Sequence, residues 1–321
     1  MRYRRMGRTG WQVSEVSLGG AYLVGADPDR ALENVRSVVN RALDLGINYI
    51  DTAPIYGMGR CEELLGRALE GEARPFYLST KVGFEPEDFD YTRDSVLWSI
   101  ERSLKRLGVP KLSVAQFHDN QVSWERITAP EGTLEGLRAA RQRGLCEYIG
   151  VTGRAIPLLT SLVETGEFDT VLAYHDYHPY SQVAAEDLVP AARAHDTGIV
   201  IASVLAGGLF GHRPRREELL ASMAQTERRR ALDVIERLQQ KLFALAVEGN
   251  PAAVYEHPGD LADLGIGAGG AEGRDQDQMG VGLRLGGLVG FLLNLLGFFR
   301  RVTIILLLGF LHGGFSTEAN L

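Results

Sequence analysis

The feature that most constrains this chain is an alternation. Short β-rich runs are separated by amphipathic helical stretches and recur at intervals of roughly thirty residues through the first two thirds of the sequence. The runs are VSEVSLGG (13–20), INYID (47–51), FYLSTK (76–81), LSVAQFH (112–118), EYIGVT (147–152), TVLAYH (170–175) and GIVIAS (198–203). Several are mostly apolar, as strands covered on both faces of a parallel sheet must be. Residues 29–45 place Ala31, Val35, Val38, Val39 and Ala42 on one side, and residues 92–107 open on Thr92 and align Val96, Ile100, Leu104 and Leu107. Residues 62–69, 134–143, 156–165, 184–195 and 217–245 complete the helical set. Each crossover between parallel strands is right-handed, and seven consecutive units predict an α/β fold of the (β/α)8 TIM-barrel type. An open doubly wound sheet is the rival, but its glycine fingerprint is missing after the first strand. Residues 1–13 read as an N-terminal β-hairpin placed to plug the barrel's lower mouth.

The pattern breaks near residue 246. Of 38 glycines, 16 fall in residues 231–321, and no clean eighth strand and helix can be placed there. The expected division is therefore a barrel over 1–245 and an atypical Gly-rich and apolar tail over 246–321. Gly265, Gly267 and Gly270 have a GxGxxG spacing, but neither a preceding strand nor a following apolar helix supplies the phosphate-cradle context. The runs 285–299 and 302–311 flank Arg300 and Arg301, and each is shorter than the roughly 18 to 20 apolar residues a membrane span needs. Gly282, Gly286 and Gly290 repeat at GxxxG spacing, a common accident in a Gly-rich tract. A buried or misfolding-prone tail is the expectation, with membrane association as the rival.

Charge excludes one large class. A formal net charge of −7 opposes nucleic-acid binding, which calls for Lys and Arg gathered on one face. Two cysteines, Cys61 and Cys146, make neither a disulfide framework nor a CxxC metal site, and the N-terminus lacks the apolar core of a secretory signal. A cytoplasmic location is expected.

In a (β/α)8 barrel, chemistry sits at the C-terminal ends of the strands. Asp51 closes the second strand run, Lys81 the third and His118 the fourth, and Tyr56 lies in the loop just past Asp51. Taken singly, Asp51 could cap a helix and Lys81 could be a rim charge. Together they suit interconversion of a carbonyl and an alcohol. An ammonium near Tyr56 would favour the phenolate and lower its pKa, and a carboxylate would hold that ammonium in place. Tyr56 would then exchange the proton while His118 hydrogen-bonds the same oxygen. His175 and His178 lie three apart on an extended segment, where side chains alternate faces, so no metal site is expected. Cys61 is expected to be a packing residue. Trp124, in the loop after His118, is a candidate wall of a substrate pocket.

The blocks GINYIDTAPIYG, FYLSTKVG, VAQFHD and LCEYIGVTG resemble the signature blocks of the aldo-keto reductases over about residues 1–245. The resemblance implies a (β/α)8 enzyme using NADP or NAD, with Asp51, Tyr56, Lys81 and His118 as the catalytic tetrad. EVSLGGAYL, FDYTRDSV and VLAYHDYHPY look most like the aldose 1-dehydrogenase and galactose dehydrogenase branch, which oxidises the anomeric carbon of a sugar to a lactone. Carried over by position, the cofactor residues are Gly19 and Gly20 after the first strand, Thr152, Tyr174, Ser203, Leu205 and Gly207. The family's amide residue stands here as Gly153, its glutamine as Tyr174 and its nicotinamide-stacking ring as Ala202. The family's eighth strand and adenosine-phosphate turn are not recognisable in 246–321, as a shifted reading frame or a foreign fused tail would give. The implied partner is a small sugar or aldehyde. The rival readings are a nicotinamide-sensing, non-enzymatic subunit docked on a membrane protein, and an inactive barrel with a defective end.

Overall fold

The computed structural model describes residues 1–25, 28–83, 85, 90–118, 122–210, 213–249 and 303–306. The glycine spacings at 265–270 and 282–290 and the apolar run 285–299 lie outside these residues. Two compact units form. The first comprises Met1–Tyr177, Ser181–Val204 and the strand at 303–306; the second comprises His178–Tyr180 and the described residues between Leu205 and Gly249.

In the first unit, β1 (Tyr3–Arg5) and β2 (Gln12–Ser14) pair antiparallel as the expected hairpin. Then come β3 (Val16–Gly19), α1 (Ala31–Asp44), β4 (Tyr49–Asp51), α2 (Arg60–Leu69), β5 (Tyr77–Val82), α3 (Arg93–Leu107) and β6 (Leu112–His118). After these follow α4 (Trp124–Thr128), α5 (Thr133–Gln142), β7 (Cys146–Gly153), α6 (Ile156–Glu164), β8 (Thr170–Tyr174), α7 (Leu188–Ala194) and β9 (Gly198–Ala202). The predicted run 13–20 is thus two strands, its first residues belonging to the hairpin and only Val16–Gly19 to the barrel.

Strands β3 to β9 are parallel and in sequence order, and β10 (Thr303–Leu306) pairs with both β3 and β9 to close an eight-stranded barrel. The eighth strand, not recognisable in the sequence of 246–321, is thus placed by its pairing. The strand is four residues of the apolar run 302–311, with Ile304 opposite Val16 and Thr303 opposite Val200. Closure removes the two exposed edges that an open seam between β3 and β9 would leave.

The helices form where their patterns require. Thr92 caps α3 by accepting from the Ser95 N–H, and Val96, Ile100 and Leu107 are buried beneath it. On α1, Ala31, Val35, Val39 and Ala42 are buried, whereas Val38 is only partly so. Each fully buried aliphatic side chain contributes about 1.5–3 kcal/mol. At the bottom of the barrel, Met6 and Val13 of the hairpin pack on Tyr49, Leu172, Val200 and Ala202, so the hairpin plugs that end. Trp11 stacks on Tyr77 with ring centroids 4.3 Å apart at the same end.

In the second unit, the predicted helix 217–245 is two helices, α8 (Arg213–Ser222) and α9 (Gln225–Gly249). Leu209, Phe210, Leu220, Ala231 and Ile235 form its core.

Candidate active site

Alternation along each strand decides what reaches the barrel interior. On β5, Ser79 and Lys81 share the inner face, whereas Thr80 points outward and donates to Glu62 of α2 at 2.6 Å. On β4 the inner positions are Tyr49 and Asp51, and on β6 they are Gln116 and His118. Asp51 stands opposite Gly19 on one side and Ser79 on the other.

The carboxylate of Asp51 is fully engaged. Its Oδ2 accepts from Lys81 Nζ at 2.6 Å, and its Oδ1 accepts from Ser79 Oγ at 2.7 Å and Gln116 Nε2 at 2.8 Å. Lys81 Nζ also donates to the Thr52 carbonyl at 2.8 Å and lies 4.8 Å from the centroid of the Tyr56 ring. Burial alone would lower the Lys81 pKa, but Asp51 and Tyr56 outweigh it and hold the ammonium above its ordinary value. Lys81 is therefore charged at neutral pH.

Tyr56 differs from the sequence expectation. Burial is the largest influence on it and raises its pKa; the Lys81 charge lowers it and Asp51 raises it again, leaving the phenol above its ordinary value. Lys81 limits the rise rather than producing a net fall, because stripping water from a phenolate costs more than one ammonium already paired with Asp51 returns. Tyr56 is thus a protonated phenol beside a fixed cation. His118 is held down to about 3, first by burial and then by Lys81, so its imidazole is neutral.

The other predicted residues fall as follows. Gly19 ends β3, and the Gly20 N–H donates to the Asp51 carbonyl at 2.7 Å. Thr152 is buried near the end of β7, in register with His118. Tyr174 ends β8 and is 37% exposed. Ser203 follows β9 in the left-handed region at φ 60. Leu205 and Gly207 fall in the second unit, where Gly207 has φ 67 within a short turn of 3-10 helix. Trp124 sits at the start of the short helix α4 rather than in an open loop; Ser123 caps that helix by accepting from the Arg126 N–H. Cys61 is buried and its thiol donates to the Gly20 carbonyl at 3.1 Å; burial pushes it up to about 12, which removes thiolate chemistry. Among the described residues, no group of three or more His, Cys, Asp or Glu side chains could hold a metal ion. Nor is any helix among them long and apolar enough to cross a membrane.

Ser79 and Gln116 were not anticipated. The signal was present, since each lies two residues before an anticipated one, Lys81 and His118, and so shares its face.

The closed parallel barrel, with a buried Lys–Asp pair and a tyrosine beside it at the C-terminal mouth, defines a class of barrel enzyme. The chain belongs to the aldo/keto reductase family, whose family model matches residues 15–254. It is 32% identical over 214 residues to an L-galactose dehydrogenase from Arabidopsis thaliana, covering 64% of this chain and 66% of that protein. It is 30% identical over 207 residues to a D-threo-aldose 1-dehydrogenase from a Pseudomonas species, covering 56% and 63%. This chain therefore spans about two thirds of the length of these relatives. An aldo-keto reductase from Bacillus halodurans solved in its holo form superposes with a TM-score of 0.58 at 26% identity, covering 70% of this chain and 78% of that one.

Proposed function

We propose that this chain is an NAD(P)-dependent oxidoreductase that interconverts a carbonyl and an alcohol. Its substrate is an aldose oxidised at C1 to a lactone, or a small aldehyde reduced. The observation that carries the reading is the placement of Lys81, paired with Asp51 at 2.6 Å, against the ring of Tyr56 at the barrel mouth. The sugar dehydrogenases among the relatives support the substrate class.

The residues at the rim fit a nicotinamide cofactor. Thr152 and Ser203 provide hydroxyls near the end of β7 and just past β9, suited to a carboxamide, and Tyr174 offers an exposed ring face to a planar ligand. Gly19 and Gly20 leave the end of β3 free of side-chain bulk. When bound, the nicotinamide supplies or accepts the hydride.

The protein handles the proton. In reduction, Tyr56 gives its phenolic proton to the carbonyl oxygen; in oxidation its phenolate form takes the hydroxyl proton. Lys81 stabilises the phenolate that the reductive step leaves, and Asp51 keeps Lys81 in position. Neutral His118 donates a hydrogen bond to the same substrate oxygen and orients it. Trp124, 37% exposed at the start of α4, offers a wall for the apolar face of a sugar.

A fluorescence titration of the full chain with NADPH and NADH, followed by a panel of aldoses and aldehydes assayed for cofactor turnover, tests the reading. Saturable cofactor binding with aldose-dependent reduction of the oxidised cofactor is expected. Binding without turnover on any member of the panel would overturn it in favour of a sensing role.

A further inference from the structure

We propose that Gln116 is a positioning residue for the proton-transfer pair: its side-chain amide, acting with Ser79, fixes the Asp51 carboxylate that holds Lys81 against Tyr56. This rests on the catalytic reading of Tyr56 and Lys81 given above.

The geometry assigns the role. Gln116 Nε2 donates twice, to Asp51 Oδ1 at 2.8 Å and to Ser79 Oγ at 3.0 Å. The second bond occupies a lone pair of the Ser79 hydroxyl, so the hydroxyl proton is directed onto Asp51 Oδ1, 2.7 Å away. A single amide therefore sets both donors to one carboxylate oxygen and leaves Oδ2 to Lys81. The amide cannot be turned over, because its carbonyl oxygen would then face the carboxylate. Gln116 is 1% exposed, and among the described residues no side chain or backbone group donates to its Oε1, so its ordered contacts to polar groups are the two made by Nε2. An amide in a barrel interior that Leu or Met would fill without desolvating a polar group is held there by those two bonds. The neighbouring strand makes room for it. A methyl group at Gly150 would stand 3.1 Å from Gln116 Cγ and 2.3 Å from Thr170 Oγ1.

The effect on catalysis follows from the chain of contacts. Without the amide, Asp51 keeps Lys81 but loses its fixed orientation, and Ser79 is free to rotate. The titratable groups that feel the Asp51–Lys81 pair are Tyr49 on β4, Lys81 itself on β5, Tyr56 and Cys61 beyond β4, and His118 on β6. Of these, Lys81 and Tyr56 take part in proton transfer, so displacement of Asp51 is read in kcat rather than in cofactor binding.

The test uses Q116M and Q116E in the full chain, with S79A, Q116M/S79A and Y56F alongside. Q116M is expected to lower kcat about 10- to 100-fold while the NADPH Kd stays within about twofold. The loss should fall on kcat with the substrate KM within about twofold, the split expected when an interaction that matters only in the transition state is loosened. Q116E, with the shape of the native side chain but a second carboxylate beside Asp51, should lower kcat further. The Q116M/S79A double variant should lose less than the product of the two single losses, because Gln116 acts partly through Ser79. An unchanged kcat in either folded Gln116 variant would overturn the proposal. So would a kcat loss that tracks the thermal midpoint, or one matched by an equal loss of cofactor affinity. If wild type lacks turnover, the enzymatic reading fails; if wild type is active, Y56F inactive and Q116M unchanged, only the role of Gln116 fails.

Discussion

Lys81 and Asp51 form a buried ion pair, Nζ to Oδ2 at 2.6 Å, with side chains 2% and 5% exposed. Such a pair is weak evidence of net stabilisation, because desolvating both charges costs much of what their attraction returns. Breaking it is a different matter. Lys81→Met strands a carboxylate in the barrel, and a loss of about 3–5 kcal/mol in chemical denaturation is expected together with loss of turnover. The Lys81 pKa is raised on folding, so its contribution is fully present below the unfolded value of 10.5 and is lost as pH rises through the higher folded value. Denaturation curves on wild type and variant from neutral to strongly alkaline pH should converge only at the alkaline end.

Tyr56→Phe removes the proposed proton donor and leaves the ring. A fall in kcat of about 100- to 10,000-fold is expected with little change in cofactor affinity. The Tyr56 pKa is raised by burial, so the acid form persists past the ordinary value of 10.0. Steady-state rates in the reductive direction should therefore show no decline attributable to Tyr56 until pH exceeds that value. Full activity in the Phe variant would remove the catalytic assignment.

His118 is neutral in the folded chain down to about pH 3, whereas in the unfolded chain it takes a proton near 6.5. Between those values the unfolded state binds more protons, so acidification favours unfolding. His118→Asn should flatten the decline in stability below pH 6.5, by on the order of 1–2 kcal/mol at about pH 4 after allowance for the ring's partial solvent access. Urea melts across that range measure it, and identical slopes would contradict it.

The hairpin plug predicts a separation of stability from activity. Met6 is 1% exposed against Tyr49, Leu172 and Val200, at the end of the barrel opposite His118 and Lys81. Met6→Ala should cost about 2–4 kcal/mol, the usual range for emptying a buried site of this size. Turnover per folded molecule should remain near wild type, as a comparison of thermal midpoint with kcat at low temperature would show.

Much of this structure was readable because it is written in local pattern. INYID, FYLSTK and LSVAQFH are apolar runs with a polar residue at or near the C-terminal end, and each became a barrel strand with that residue at the mouth. The Thr92 cap of α3 depends on contacts within one turn of chain and was equally plain. Thr303–Leu306 was not, since a strand of four residues inside a longer apolar stretch has no periodicity of its own. Its identity as a strand depends on Val16 and Val200, distant in sequence. The break between α8 and α9 escaped for the opposite reason: Met223 and Ala224, between two helical patterns, bring no proline or glycine to mark it.

By itself, then, the sequence determined the repeating unit, the direction of the strands and which ionisable groups arrive at the barrel mouth, because alternation and crossover handedness operate over short stretches of chain. Only the tertiary structure decided how those groups are charged and held. Gln116 meets Asp51 across 65 residues, Ser79 across 28, and the Tyr56 pKa reflects the balance of burial against Lys81 and Asp51. That balance depends on how much water the assembled barrel excludes and on distances of a few ångströms between strands, and no local stretch of chain carries either quantity.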